Sequence, residues 1–109
     1  MLSLGSVRIF LHRKPMDMRC GFERLSLVVE EEHPGELWEA AYFVFLNEKR
    51  TLMKVLYWDR DGLAIWAKRL EMGTFGWTES VGEIDRRQFL MMLEGIKPKR
   101  LSKRFERTK

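Results

Sequence analysis

Three apolar runs separated by short polar segments occupy the middle of the chain, from Tyr42 to Trp77. The first, Tyr42–Leu46, is apolar without a break, which is typical of a strand covered on both faces. Two further runs follow, Leu52–Trp58 and Leu63–Leu70, and both contain residues that favour strands. Because the connecting segments are short, we predict that successive strands pair antiparallel as a meander.

Turn-forming residues separate these runs. The segment 59–62 reads Asp-Arg-Asp-Gly, and Gly73 and Gly76 bracket a later reversal. The run Leu63–Leu70 is ambiguous, since its sequence could also form a short helix. Its alternating neighbours and flanking glycines favour a strand.

A strand and a helix are predicted before the meander. Val7–Leu11 reads as the strand. The helix is predicted to begin at Met18, with Asp17 as its N-cap, and to end at His33, which precedes a Pro-Gly pair. Its apolar face is formed by residues at helical spacing: Met18, Phe22, Leu25 and Val29.

A second helix is predicted after the meander, with signals at both ends. Asp85 is the predicted N-cap and Gln88 stands at the position that completes a capping box. Ile84 and Phe89 have the spacing of a hydrophobic staple. Gly95 occupies the place of a left-handed C-terminal residue, and the proline at position 98 prevents continuation.

These elements predict an α+β fold. A central antiparallel sheet, arranged as a meander, is covered by two helices in an order near β-α-β-β-β-β-α. With 109 residues, the chain has the size of one modest domain, which we place at residues 1–96. Residues 97–109 form a basic and flexible C-terminal tail in this interpretation.

The positive charge of the chain is concentrated in that tail. The whole chain carries a net charge of +4, whereas residues 97–109 hold seven Lys or Arg against one Glu, a net of +6. The remaining 13 basic and 15 acidic residues give residues 1–96 a net charge of −2. The tail cations are Lys97, Lys99, Arg100, Lys103, Arg104, Arg107 and Lys109. They favour binding to phosphates with little sequence dependence, although a basic terminus that only aids solubility is the simpler alternative.

Several classes of protein are disfavoured. No apolar run approaches the ~20 residues that span a bilayer, and the N-terminus lacks the pattern of a signal peptide. The single cysteine, Cys20, cannot form an internal disulfide, so we expect a cytoplasmic protein. His12, Cys20 and His33 do not have the spacing of a zinc site, and no sequence signature marks Cys20 as a nucleophile.

Three segments together identify a family. The run LYWDRDGLAIWAKRLEMGTFGW, with PMDMRCGFERL before it and MLEGI after it, resembles the small TnpB-type accessory proteins of IS66-type bacterial insertion sequences. The resemblance spans Val7 to Ile96. The matching motif positions are Asp17, Met18, Arg19, Gly21, Phe22, Tyr57, Trp58, Asp59, Gly62, Lys68, Arg69 and Leu70. The resemblance implies a role in transposition beside the transposase, and it implies no catalytic residues.

Carboxylates suggest an alternative from another class. Asp17, Asp59 and Asp61 lie at predicted element ends, where a two-metal nuclease could gather its ligands. The acidic-x-Lys spacing common in restriction-type nucleases is missing. A helix cap and a turn account for these aspartates more simply.

Aromatic residues suggest a second candidate surface. Tyr57, Trp58 and Trp66 lie in sequence among three cations, the mixture found in sheet-based binders of single-stranded nucleic acid. The cations are Lys54, Lys68 and Arg69. Burial in a core is the more common fate of such rings, and we expect it for Trp58 and Trp66.

The sequence therefore predicts a non-catalytic accessory factor of DNA transposition. Its expected partners are the transposase of the same element and DNA, bound largely without regard to sequence. No cofactor, metal, membrane or small-molecule ligand is expected. The alternatives are the metal-dependent nuclease and a general nucleic-acid-binding module.

Overall fold

A computed structural model describes residues 5–76 and 82–95, and these form five strands and two helices in the order predicted from the sequence. The strands are β1 (Arg8–Leu11), β2 (Ala41–Leu46), β3 (Leu52–Asp59), β4 (Gly62–Arg69) and β5 (Gly82–Ile84). The helices are α1 (Phe22–Glu32), between β1 and β2, and α2 (Arg86–Glu94), after β5. The α+β class with a central sheet is confirmed. The predicted domain end at Ile96 and the basic tail lie outside the described residues.

The sheet has the strand order β4-β3-β2-β1-β5. Strands β2, β3 and β4 form the predicted antiparallel meander, and β5 pairs antiparallel with β1. Two pairs differ from the prediction: β5 pairs with β1 instead of following β4 in the meander, and β1 and β2 are parallel, with Ile9 opposite Tyr42. The reason for the parallel pair is the intervening helix α1, which carries the chain back along the sheet so that both strands run in the same direction. The sheet is therefore mixed.

Each face of the sheet has its own apolar core. On one face, side chains such as Val44 and Val55 pack with Phe89 and Met92 of α2. On the other, Phe43, Phe45 and Leu56 pack with Leu25 and Val29 of α1. The first five residues of β2 are all buried, as the unbroken apolar run predicts. Burial of one such large side chain contributes roughly 1.5–3 kcal/mol, so β2 holds both layers together.

Helix α1 begins four residues later than predicted, at Phe22. Asp17 does not cap it; its carboxylate instead accepts hydrogen bonds from the amide and guanidinium of Arg19. The amide of Cys20 donates to the carbonyl of Asp17, so residues 17–20 form a separate turn. The predicted apolar face is confirmed at Leu25 and Val29, which are buried, and is wrong at Phe22, which is exposed, and at Met18, which lies before the helix.

Helix α2 has the predicted ends. The carboxylate of Asp85 accepts from the Gln88 amide at 2.8 Å, and the Gln88 side chain accepts from the Asp85 amide at 2.9 Å. Gly95 follows the last turn with a φ of 77°. A Cβ atom at Gly95 would lie 2.8 Å from the carbonyl oxygen of Thr74, so only glycine fits there.

Candidate nucleic-acid interface

The cations predicted to bind nucleic acid have different surroundings. The ammonium of Lys54 is already used, since it donates to the carbonyl oxygen of Cys20 at 2.8 Å. Lys68 and Arg69 are exposed at the end of β4, and Arg69 is paired with Glu71 at 3.1 Å. Neighbouring residues of a strand point to opposite faces, so Lys68 and Arg69 do not form one patch. The seven tail cations lie outside the described residues.

The aromatic residues do not form a single stacking platform. Tyr57 lies opposite Ala64 and Trp66 opposite Val55, on the face covered by α2, whereas Trp58 is on the face covered by α1. Trp66 packs against the core, as predicted. The prediction for Trp58 is wrong: its ring is half-buried, belongs to neither buried cluster and contacts the exposed ring of Trp38 edge-on, with centroids 4.8 Å apart.

The carboxylates of the nuclease alternative are not gathered into a ligand set. Asp17 is paired with Arg19, whose hydrogen bonds lower the pKa of the Asp17 carboxyl to about 2. Asp59 ends β3 and Asp61 lies in the turn before β4, on either side of Arg60. Within residues 5–76 and 82–95, no group of three or more His, Cys, Asp or Glu is placed to hold a metal ion.

A basic cleft lies at the end of the sheet where β1 and β2 both finish. It has a volume of about 170 Å³, and Arg13, Lys14 and Arg50 lie around it. Its apolar wall is formed by Leu11, Leu46 and Met92. Among the described residues, the three cations have no carboxylate partner. We call this arrangement of Arg13, Lys14 and Arg50 the basic cleft.

Two of the segments around the cleft meet because β1 and β2 are parallel. Parallel strands bring their carboxyl ends to the same edge, so the loop after β1 and the turn after β2 meet there. The loop is held by the His12 amide, which donates to the Val44 carbonyl at 2.9 Å, and by the Met16 amide, which donates to the Leu46 carbonyl at 2.9 Å. Arg50 has a φ of 56°, and its carbonyl accepts from the Phe75 amide at 2.7 Å.

The residues of the basic cleft were not selected from the sequence. The signal was present as His-Arg-Lys-Pro directly after the first strand, at positions 12–15. Arg50 is distant in sequence and became a candidate only through the parallel pairing of β1 with β2. A second, adjoining cavity of about 350 Å³ is also lined by Arg13 and Lys14, together with Glu32 and His33.

Comparison with known proteins agrees with the resemblance seen in the motifs. The family TnpB_IS66, described as IS66 Orf2-like proteins, matches residues 7–103. The chain belongs to this family. The match continues seven residues beyond Ile96, into the basic tail. The family is one of accessory proteins associated with transposition.

One relative is an uncharacterised protein, y4hO, of Sinorhizobium fredii. It is 34% identical over 94 residues, which cover 84% of this chain and 82% of the relative. No solved structure is significantly similar to the chain.

Two of the segments whose sequences resemble the family meet in the fold. Met18 and Cys20, from the turn before α1, pack on the same cluster as Leu63 and Ile65 of β4. The bond from Lys54 to Cys20 joins the same two regions. No helix in the described part of the chain is long and apolar enough to cross a membrane.

Proposed function

We propose that this IS66 Orf2-like protein is a non-catalytic accessory factor that binds the DNA backbone at the basic cleft and tail and also contacts the transposase. The observation that supports it most directly is the convergence of three cations, unpaired among the described residues, on one cleft. Phosphate is the ligand that such a set attracts, and release of condensed counterions drives the association.

The basic cleft can attract phosphate although residues 1–96 carry a net negative charge. A local group of cations can bind phosphate against an unfavourable average charge, because fields from distant charges are screened within about 10 Å. The carboxylates most distant from the cleft lie at the opposite end of the sheet, where β3 meets β4 and where β2 begins. They include Glu36, Glu39, Asp59 and Asp61. Two cations, Arg8 and Arg60, lie at this same end, so the four carboxylates outnumber the cations there, and we call it the acidic end.

The second described range ends beside the cleft, at Gly95. The amides of Gly76 and Gly95 both donate to the carbonyl of Met92, and Met92 lines the cleft. Lys97 follows Gly95 by two residues, a span of at most about 7 Å. In this proposal the cations of the tail add to those of the cleft in binding phosphate. Neither contains a base-reading motif, so binding is largely independent of sequence.

The acidic end carries the surface that we assign to the transposase. Trp38 is 58% exposed and its ring rests on Trp58. Exposed tryptophans are enriched at the centres of protein interfaces. Contact through this end leaves the basic cleft free for DNA.

The test is DNA binding measured by fluorescence anisotropy at several salt concentrations. The double variant Arg13→Ala, Lys14→Ala removes two exposed cations from the cleft. If both contact phosphate, the slope of log K against log salt becomes shallower by about 1.8. The matched control is Arg86→Ala, Arg87→Ala, which removes two exposed cations from the start of α2, away from the cleft.

Two results would contradict the proposal. An unchanged slope in the cleft variant, with a reduced slope in Lys68→Ala, Arg69→Ala, would move the DNA surface to the end of β4. Magnesium-dependent cleavage of DNA that is lost in both Asp59→Ala and Asp61→Ala would favour the nuclease alternative.

A further inference from the structure

The sheet has an open edge along β4. It is the last strand on its side, and within the described residues no other strand pairs with its outer edge. It is eight residues long and holds the partly buried side chains of Leu63, Ile65 and Trp66. An open edge of this length presents unpaired backbone groups to which another strand can add.

The register of β4 identifies these backbone groups. The amide of Leu70 donates to the carbonyl of Thr51 at 2.8 Å, and hydrogen-bonded pairs alternate along an antiparallel ladder. The even-numbered residues of β4 therefore turn their amide and carbonyl groups towards β3. The residues that turn these groups outward are Leu63, Ile65, Ala67 and Arg69.

The charges near the two ends of β4 are opposite in sign. The hairpin end before β4 contains Asp59, the last residue of β3, followed by Arg60 and Asp61 of the turn, a net charge of −1. Lys68, Arg69 and Glu71 at the end of β4 have a net charge of +1. In a two-fold antiparallel arrangement, the start of one strand lies against the end of the other, so opposite charges meet twice.

We propose that β4 pairs antiparallel with β4 of a second copy of this chain, with Ile65 opposite Ile65 of the second copy. In this register, Leu63 lies opposite Ala67 of the second copy. Asp61, in the turn before β4, lies level with Arg69 of the second copy, which exchanges its ion pair with Glu71 for one with Asp61. A shift by two residues places Asp61 opposite Glu71 or Ala67 instead, and both alternatives lose the ion pair.

The same register gives Lys68 a partner. It lies opposite Gly62 of the second copy, and Gly62 is paired in its own sheet with Asp59 on the same face. Since Gly62 has no side chain, the Lys68 ammonium can extend over it towards the exposed Asp59 carboxylate. The two five-stranded sheets become one continuous sheet, and the two basic clefts remain outside the contact.

The first test is the mass of the full-length protein by sedimentation equilibrium over a range of about 5–500 µM, chosen because an interface of one strand is small. A dimer of about 26 kDa is expected from the chain mass of 13.1 kDa. Ala67→Pro removes an outward amide without removing a bond to β3, and should weaken the dimer about tenfold or more. Ala67→Ser keeps the amide and should dimerise as the wild type does.

The second test reverses charges and does not depend on proline being tolerated. Asp61→Arg alone and Arg69→Asp alone each place like charges opposite one another twice in the homodimer. Each should weaken dimerisation about tenfold. An equimolar mixture of the two variants should form a heterodimer, because both of its pairs are again opposite in charge.

Circular dichroism and thermal melting identify any variant that fails to fold. A monomeric wild type over the whole concentration range overturns the proposal. So does a dimer that is insensitive to Ala67→Pro in a folded chain, and so does a mixture of the charge variants that fails to associate.

Discussion

Gly95 offers the sharpest test of how α2 is joined to the rest of the domain. In Gly95→Ala, the new Cβ would lie 2.8 Å from the Thr74 carbonyl oxygen, and the residue would keep a φ of 77° and a ψ of 172°. Backbone in that region costs a non-glycine residue roughly 1–3 kcal/mol. The displacement of a packed backbone carbonyl adds about 1–3 kcal/mol. We expect a loss of about 3–5 kcal/mol, which lowers the melting temperature by about 15 °C or more.

Alanine substitutions at three other glycines separate the conformational cost of a positive φ from the steric cost of a new Cβ. Gly35 has a φ of 78° and nothing within 4 Å of a new Cβ, so Gly35→Ala should show only the conformational cost. Gly76 does not have a positive φ. In Gly76→Ala the new Cβ would lie 2.9 Å from the Met91 carbonyl oxygen, so this variant should show only the steric cost. Gly62→Ala meets neither obstacle and serves as the control.

The assay for this series is unfolding in urea, followed by circular dichroism. The expected order of stability is Gly62→Ala first, then the two variants with one cost each, and Gly95→Ala last. Gly95→Ala unfolding at the same urea concentration as Gly35→Ala would show that α2 does not rest on the Thr74 backbone, and the reasoning would fail.

Three further outcomes are expected. The pKa of Asp17 is held at about 2, below its ordinary 3.8, chiefly by hydrogen bonds from Arg19. Because this pKa is lower in the folded state, the ionised carboxylate of Asp17 stabilises the fold above pH ~4. This stabilisation is lost as the pH falls towards ~2. Asp17→Asn should therefore melt below the wild type at pH 6, with the two melting temperatures converging near pH 2; a constant difference would contradict this account. Trp58→Ala should cost about 1–3 kcal/mol in urea unfolding, less than the ~3–5 kcal/mol of the fully buried Phe43→Ala, because Trp58 is only half-buried. Trp38→Ala should melt like the wild type and lose co-purification with the transposase; full retention would remove Trp38 from the proposed interface.

Local signals determined the elements of this protein from the sequence. The capping box of Asp85 and Gln88 joins residues three positions apart, so its parts are visible in any short window. The unbroken apolar run of β2 likewise predicted burial on both faces. Asp17 was misassigned because a carboxylate before a helix can either cap the helix or stabilise a turn. Here it accepts a hydrogen bond from the Arg19 side chain and stabilises the turn.

The candidate sites were decided by contacts between distant residues. The ammonium of Lys54 is occupied by a carbonyl 34 positions away, at Cys20, which no pattern around Lys54 indicates. The basic cleft exists because β1 and β2 run parallel and bring Arg13 and Lys14 next to Arg50. The sequence contained every one of these cations. Their grouping depended on strand order and direction, which follow from how the two apolar faces of the sheet are covered rather than from local propensity.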